Sequence, residues 1–277
     1  METVRAQSLG SGSSGNALLL LVAGRALLID HGISPRALKV CLAVHGLVPG
    51  DLDAMLITHE HTDHVHGLRA GLRATTCPVV GTSGTLTHLP AAASRSLAAR
   101  PDVPLTIGIW EITALAVSHD AAEPCGYSVA AHGVRWTVLT DLGERCGGAA
   151  EYLAASDLLV VEANHDDAML RGGPYPAHLK RRIASDRGHL SNAQAGAWLR
   201  DALRRVSTPK VVWLAHLSQT NNRAVLAVGA VGGAGNAAGI DLRPLALPRR
   251  QSGPVWHPGE PLPTAAPRLP LQLSLSL

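Results

Sequence analysis

The sequence predicts an α+β protein in which two mixed β-sheets pack face to face with helices on the outside. Three observations lead there. Short apolar runs of strand length recur as far as Ala215, some paired as hairpins and others alternating with helical segments; two sheets under an outer layer of helices satisfy that mixture. Helix starts are marked by capping residues. Polar clusters rich in His and Asp fall just after the apolar runs, where loops converge on a rigid scaffold.

The elements follow in order. Leu18–Val22 and Arg25–Ile29 flank Ala23-Gly24, a hairpin pattern. Asp30-His31-Gly32 comes next. Ser34-Pro35 then supplies an N-cap and first-turn proline for a helix through Leu38 and Leu42 that stops near Gly46. Asp53–Thr58 reads as a buried strand ending on His59, Val65–Arg73 as a short helix, and Pro78–Gly81 as a short strand. Leu105–Ser118 holds one or two strands ending at His119. Gly126–Ala131 and Val134–Thr140 form a hairpin around His132-Gly133 and end at Asp141. Asp157–Val161 ends at Glu162. Ser191 and Gln194 have capping-box spacing for a helix to about Arg205, and Lys210–Ala215 is a strand ending at His216.

Of the 277 residues, 46% are hydrophobic and 16% charged, which supplies a sizeable core and excludes wholesale disorder. A net charge of +3 permits a nucleic-acid partner without demanding one. Cys41, Cys77, Cys125 and Cys146 lie too far apart for a paired-Cys motif, which argues against a disulfide framework or zinc ribbon and for reduced thiols in the cytoplasm. The N-terminus lacks the basic-then-apolar order of a signal peptide, and the run Ala17–Val22 is far too short for a bilayer, so no membrane partner is expected.

The chemistry concentrates in His59-Glu60-His61-Thr62-Asp63-His64. Imidazole and carboxylate are natural ligands of zinc and similar divalent ions. Alternate residues of an extended backbone share a face, so His59 and His61 can grip one ion, while Asp63 and His64 reach a second from the following turn. No structural requirement places four such groups after a buried strand.

The segment resembles the His-x-His-x-Asp-His signature of the metallo-β-lactamase superfamily, with Thr58 matching before it. The resemblance implies the superfamily's αβ/βα sandwich and a later His, Asp and His, each after a strand. His119, Asp141 and His216 fit in order. It further implies that His59, His61 and His119 hold one metal, that Asp63, His64 and His216 hold the other, and that Asp141 bridges. Two ions, Zn²⁺ or Mn²⁺ for this mixed N/O set, lower the pKa of a bridging water so that hydroxide exists at neutral pH. That fixes hydrolysis as the reaction class but leaves the substrate open.

Other segments narrow the branch. Ser11-Gly12-Ser13-Ser14-Gly15-Asn16, Glu162-Ala163-Asn164-His165-Asp166, His189-Leu190-Ser191 and His216-Leu217-Ser218 together resemble the YycJ/WalJ-like group, over about residues 4–223. That resemblance implies a DNA nuclease with 5′-to-3′ exonuclease activity and a catalytic core similar to ribonucleases Z and J. The residues support a phosphodiester. His189 precedes a capped helix whose N-terminus offers amides and positive potential, and a histidine there can bind the scissile phosphate or protonate the leaving oxygen. Asp63 and His189 are therefore the catalytic candidates. Lys180, Arg181 and Arg182, with Arg187 nearby, are candidates to track a nucleic-acid backbone, or else form a solvated helix face. Glu162 is a candidate to orient a histidine. His31 stands where the group carries a small residue, and either approaches the site or is merely tolerated.

Rival readings are a ribonuclease, a small-molecule thioester or lactam hydrolase of the same fold, and a metal-binding module without activity. The basic cluster and His189 argue against the second, and the full ligand set against the third. Only about 75 residues separate Asp141 from His216, too few for the large insertion of ribonuclease J. The catalytic domain is expected to span 1–222. From 223 to 277 Gly and then Pro dominate, which predicts a poorly ordered tail, produced by either a shifted frame or a divergent extension.

Overall fold

The computed structural model describes residues 3–260. The first sheet takes β1 (Val4–Gly10), β2 (Ala17–Val22), β3 (Arg25–Ile29), β4 (Leu52–Leu56), β5 (Val79–Gly81) and β6 (Ser96–Ala98). The second takes β7 (Leu105–Ile107), β8 (Trp110–Ala116), β9 (Cys125–Ala131), β10 (Val134–Leu139), β11 (Leu158–Glu162), β12 (Lys210–Ala215) and β13 (Leu242–Ala246). A last short strand, β14 (Val255–Trp256), returns to the first sheet and pairs antiparallel with β1. Each sheet thus has seven strands, one ordered β14-β1-β2-β3-β4-β5-β6 and the other β13-β12-β11-β10-β9-β8-β7. Hairpins build one half of each sheet and parallel crossovers the other, so the expected pair of mixed sheets is borne out.

The helices are α1 (Pro35–Val44), α2 (Thr62–Val65), α3 (Leu68–Gly71), α4 (Ser83–Thr87), α5 (Ala150–Ala155), α6 (Asp167–Gly172), α7 (Ala177–Ile183), α8 (Asn192–Leu203) and α9 (Ala224–Asn236). Three cores record the layering. The central one interleaves Leu20, Leu27 and Leu56 of the first sheet with Tyr127, Trp136 and Trp213 of the second. A second packs the outer face of β11 and β12 under α5, α8 and α9. A third packs the outer face of β2–β5 under α1 and α3. The sequence places each start as read: Ser34 Oγ accepts the Ala37 amide at 3.2 Å, and Ser191 and Gln194 form the reciprocal capping box.

The C-terminal segment corrects the expectation of a loose tail. As far as Glu260 it is part of the fold: α9 packs on α8, β13 extends the second sheet, and β14 extends the first. The composition misleads for a physical reason. Glycines cost about 1 kcal/mol each in a helix interior, but they also let helices approach closely. Gly196 of α8 lies so near Ala230, Val231 and Ala234 of α9 that an added Cβ would stand 3.1 Å from Ala234 Cβ. Pro244 sits on β13, an edge strand, where a missing N–H is tolerated. The part of that expectation covering residues 261–277 lies outside the described residues.

Deleting everything after Asn222 is therefore expected to abolish cooperative unfolding. It would strip Ala227, Val231, Ile240, Leu242, Leu247 and Trp256 from the cores. Burial of a large apolar side chain contributes about 1.5–3 kcal/mol, so the loss rivals a typical total stability of about 5–15 kcal/mol. Circular-dichroism melts test it; a truncated chain melting within a few degrees of the full chain would show the segment to be dispensable.

Candidate metal centre

The site lies where the loops after β3, β4, β8, β10, β11 and β12 meet. Asp30, Asp141 and His216 sit within two residues of a strand end and hold φ of 59°, 55° and 55°. Left-handed backbone at a non-glycine residue costs about 1–3 kcal/mol and persists where surrounding structure over-determines it, commonly at functional sites. Here it turns three side chains abruptly off the sheets into one space.

The loops lock together through their backbones. Asn16 N donates to Asp63 O (2.7 Å), His31 N to His64 O (2.8 Å) and Gly67 N to His31 O (2.8 Å). Gly32 touches the Asp63 carbonyl so closely that a Cβ would fall 1.7 Å from it. Any side chain at position 32 would push the histidine loop off its place. His31 does not reach the site. Its ring is buried against Gly67 and Gly71, neither ring nitrogen has a hydrogen-bond partner, and burial, helped by nearby His66, pulls it down to about 4.

Ligand atoms of His59, His61 and His119 lie within 4.8 Å of one another, and so do those of Asp63, His64 and His216. Asp141 joins two further groupings, one with His59 and His64 and one with Glu162, His189 and His216. Its Oδ2 is 3.1 Å from His64 Nε2 and its Oδ1 3.1 Å from His216 Nδ1. All seven expected ligands are thus brought together, with Asp141 between the two triads.

The outer contacts fit a divalent ion. The Nδ1 atoms of the four buried histidines among the candidate ligands are each held by an outside group. His59 Nδ1 is 3.0 Å from Thr58 Oγ1, His64 Nδ1 2.7 Å from Asp30, His119 Nδ1 3.0 Å from the Gly188 carbonyl, and His216 Nδ1 2.9 Å from Glu162. Thr58 Oγ1 passes the first contact on to Asp30 at 2.9 Å. Such outer partners fix ring orientation in metal sites and leave Nε2 for the ion. Among the described residues His59 Nε2 and His216 Nε2 are indeed buried without a hydrogen-bond partner.

The electrostatics agree. Burial alone would pull His216 down, but Asp141, Asp63 and Glu162 outweigh it and push it up to about 10. His64 is likewise raised against burial by Asp30 and Asp141. Asp141 is held well below the carboxylate range because His216 and His64 overcome its burial. The carboxylate field that would hold protons on these imidazoles equally attracts a dication.

His189 stands on the rim, with Nδ1 2.9 Å from Glu162 Oε1. Glu162 is fully buried; its Oε2 accepts the Leu142 and Leu190 amides at 3.0 and 3.2 Å. Burial lowers His189, yet Glu162 overcomes it and raises the imidazole. The start of α8 is less open than expected. The amides of Leu190, Ser191, Asn192 and Gln194 are taken by Glu162, Gln194, His165 and Ser191, so His189 rather than a free helix end faces the site.

The basic residues divide. Arg182 pairs with Asp120, beside His119, and shares a hollow of about 200 Å³ with Tyr175, Leu179 and His189. Lys180 donates to the Arg171 carbonyl at 2.7 Å and, with Arg181, faces a separate hollow along α6 and α7.

Sequence reading passed over three supporting residues. Asp30 anchors His64 and Thr58; its signal was a carboxylate directly after a buried strand, the same pattern as Asp141. Asn16 Nδ2 lies 3.0 Å from His64 Nε2 and 3.2 Å from Asp63 Oδ2, which gives the glycine-serine loop a purpose its composition does not reveal. Asp120 had no signal beyond its place next to His119.

Comparison with known proteins agrees with this geometry. A family model described as a beta-lactamase superfamily domain matches residues 25–216. The exodeoxyribonuclease WalJ of Streptococcus pneumoniae is 36% identical over 222 residues, 77% of this chain and 81% of that protein. The exodeoxyribonuclease YycJ of Bacillus anthracis is 35% identical over 225 residues, 79% of this chain and 84% of that one. Among solved structures, the metallo-beta-lactamase fold protein YhfI of Bacillus subtilis superposes with a TM-score of 0.68 at 19% identity, covering 92% of this chain and 99% of its own. The Zn²⁺-bound PqqB of Methylobacterium extorquens gives 0.66 at 16% identity over 90% and 99%. These two establish likeness of fold.

Proposed function

We propose, from the premise that this chain belongs to the beta-lactamase superfamily domain family, that it is a DNA exonuclease working with two divalent ions. That it is a metal-dependent hydrolase follows from the family and its exodeoxyribonuclease relatives. The observation that carries the finer reading is the His189–Glu162 pair set against two adjoining ligand triads, an arrangement that joins phosphate binding to leaving-group protonation.

In this reading His59, His61 and His119 hold one ion, Asp63, His64 and His216 hold the other, and Asp141 is shared. Two ions bound there, Zn²⁺ or Mn²⁺, supply charge that acidifies a water and offsets charge on the attacked phosphate. Asp63 would ligate through its carboxylate, which Asn16 Nδ2 holds by donating to Oδ2 at 3.2 Å. His189 keeps its proton because Glu162 lies against Nδ1, and it donates from its other nitrogen to the oxygen that leaves. The proposed polarity, 5′ to 3′, is taken from the resemblance to the YycJ/WalJ-like group. Among the described residues no helix is long and apolar enough to cross a membrane.

The test is cleavage of end-labelled duplex DNA, single-stranded DNA and RNA by metal-loaded protein. Duplex DNA shortened progressively from its 5′ ends is expected, with a loss of about 10³-fold or more in Asp63→Ala, since a bound ion contributes several kcal/mol. Faster cleavage of RNA would favour the ribonuclease reading. No metal-dependent cleavage of any polymer would sink both.

A further inference from the structure

Most arginines near carboxylates are paired, such as Arg182 with Asp120 and Arg243 with Asp241. Two at the metal centre differ. Arg187 Nε and Nη2 donate to the carbonyl of His119 at 3.4 and 3.3 Å. Arg249 Nη1 donates to the carbonyl of Leu217, the residue after His216, at 2.5 Å. Among the described residues neither guanidinium has a carboxylate within ion-pair distance. Each has five N–H donors and uses only one or two, so both keep donors and a full charge for an anion.

Their positions are complementary. His119 belongs to the triad with His59 and His61, whereas Leu217 adjoins the triad of Asp63, His64 and His216. The two arginines therefore contact loops that carry members of different triads, Arg187 at His119 and Arg249 next to His216. Arg249 is brought there by the segment after β13, which returns along the Gly10–Asn16 loop: Ser11 N donates to Arg249 O at 3.3 Å. Its guanidinium lies close to Gly12, where a Cβ would stand 3.6 Å from Cζ, and Gly12 holds a φ of 120° that excludes most side chains. The same loop connects to the ligands, since Ser11 Oγ accepts the His216 amide at 2.9 Å and Asn16 reaches Asp63. Ser13 and Ser14 stand exposed beside Gly12 and add hydroxyl donors.

We propose that Arg249, with Ser13 and Ser14, forms a phosphate subsite on the His216 side of the centre, with Arg187 beside His119. A substrate strand then crosses the metals with one backbone phosphate held on each side of the bond that is cut. The proposal rests on the exonuclease reading and adds to it the path of the strand. It also gives the C-terminal segment a place in substrate binding, beyond its part in the fold.

The experiment compares wild type, Arg249→Gln and Arg249→Lys on duplex DNA over a range of salt, and on bis(p-nitrophenyl) phosphate, which has no neighbouring phosphate. Arg249→Gln is expected to raise KM for DNA about tenfold. It should also flatten the dependence of log KM on log salt by about 0.7–0.9, the release from one phosphate contact. Its loss on the small diester should be at least fivefold smaller, and Arg249→Lys should recover most of the affinity for DNA. Equal losses on both substrates, with no recovery by lysine, would mean a structural role and overturn the proposal. So would a DNA KM and salt slope matching wild type. A wild type that does not cleave DNA would overturn the exonuclease reading itself, a different failure visible in the same assay.

Discussion

Replacing Asp141 by Asn is expected to lower kcat at least about a thousandfold and, if the site holds the two ions proposed, to reduce bound metal to one ion per chain or fewer. The substitution preserves size, so the effect isolates charge. Asp141 is 2% exposed and holds its side chain in a left-handed turn after β10. Its two oxygens reach His64 and His216 from opposite sides, both at 3.1 Å. An amide offers one acceptor and one donor, so one of those two contacts must become repulsive toward a cation. The remaining carboxylate of Asp63 is partly exposed and cannot replace a buried charge. A two-ion site loses several kcal/mol of transition-state stabilisation when one ion goes, which converts to about three powers of ten. Elemental analysis and steady-state rates on the same preparation test this. An Asp141→Asn protein that keeps both ions and cleaves within tenfold of wild type would remove Asp141 from the site.

The seven proposed ligands are legible in two steps: His59, His61, Asp63 and His64 cluster just after a buried strand, and the resemblance to the metallo-β-lactamase superfamily then picks out His119, Asp141 and His216, each within three residues of a later strand end. What the sequence hides is set by contacts between distant segments. β1 escapes notice because Gln7 and Ser8 break its apolar pattern, yet both are buried, and Gln7 is satisfied by Gly253 and His45. α9 escapes because its glycines count as breakers in isolation, whereas what holds it is distant: Ala230, Val231 and Ala234 close on Gly196 of α8, and Gly235 closes on Ile240 and Leu242. Arg249 is hidden for the same reason: a residue in an apparently structureless tail carries no sign that it returns to a loop more than two hundred positions earlier. The basic run on α7, which the sequence left open between a nucleic-acid track and a solvated face, is divided by the helix. Lys180, Arg181 and Arg182 look like one patch in sequence, but a helix turns successive residues about 100° apart, and only Arg182 faces His189.

Substituting His189 by Ala is expected to cost about 10²–10⁴-fold in kcat on DNA while leaving the bound metal content as in wild type, the range for loss of a general acid. The reasoning separates His189 from the ligands. Its side chain is 21% exposed on the rim, whereas His64 and His216 are essentially enclosed. Its Nδ1 is committed to Glu162, so one nitrogen remains for chemistry. Glu162 serves two histidines through a single oxygen, 2.9 Å from His189 Nδ1 and 2.9 Å from His216 Nδ1. It is therefore a positioning residue, and Glu162→Gln should produce a smaller loss than His189→Ala because an amide oxygen still accepts one hydrogen bond. The leaving group supplies the readout that a merely structural role would not move. A sugar oxygen departs poorly without a proton, whereas p-nitrophenolate departs readily as an anion. Both variants should then be impaired on DNA at least tenfold more than on bis(p-nitrophenyl) phosphate. Equal impairment on the two substrates, or loss of a metal from His189→Ala, would make His189 a ligand or a packing residue and leave the leaving oxygen without a donor from this chain.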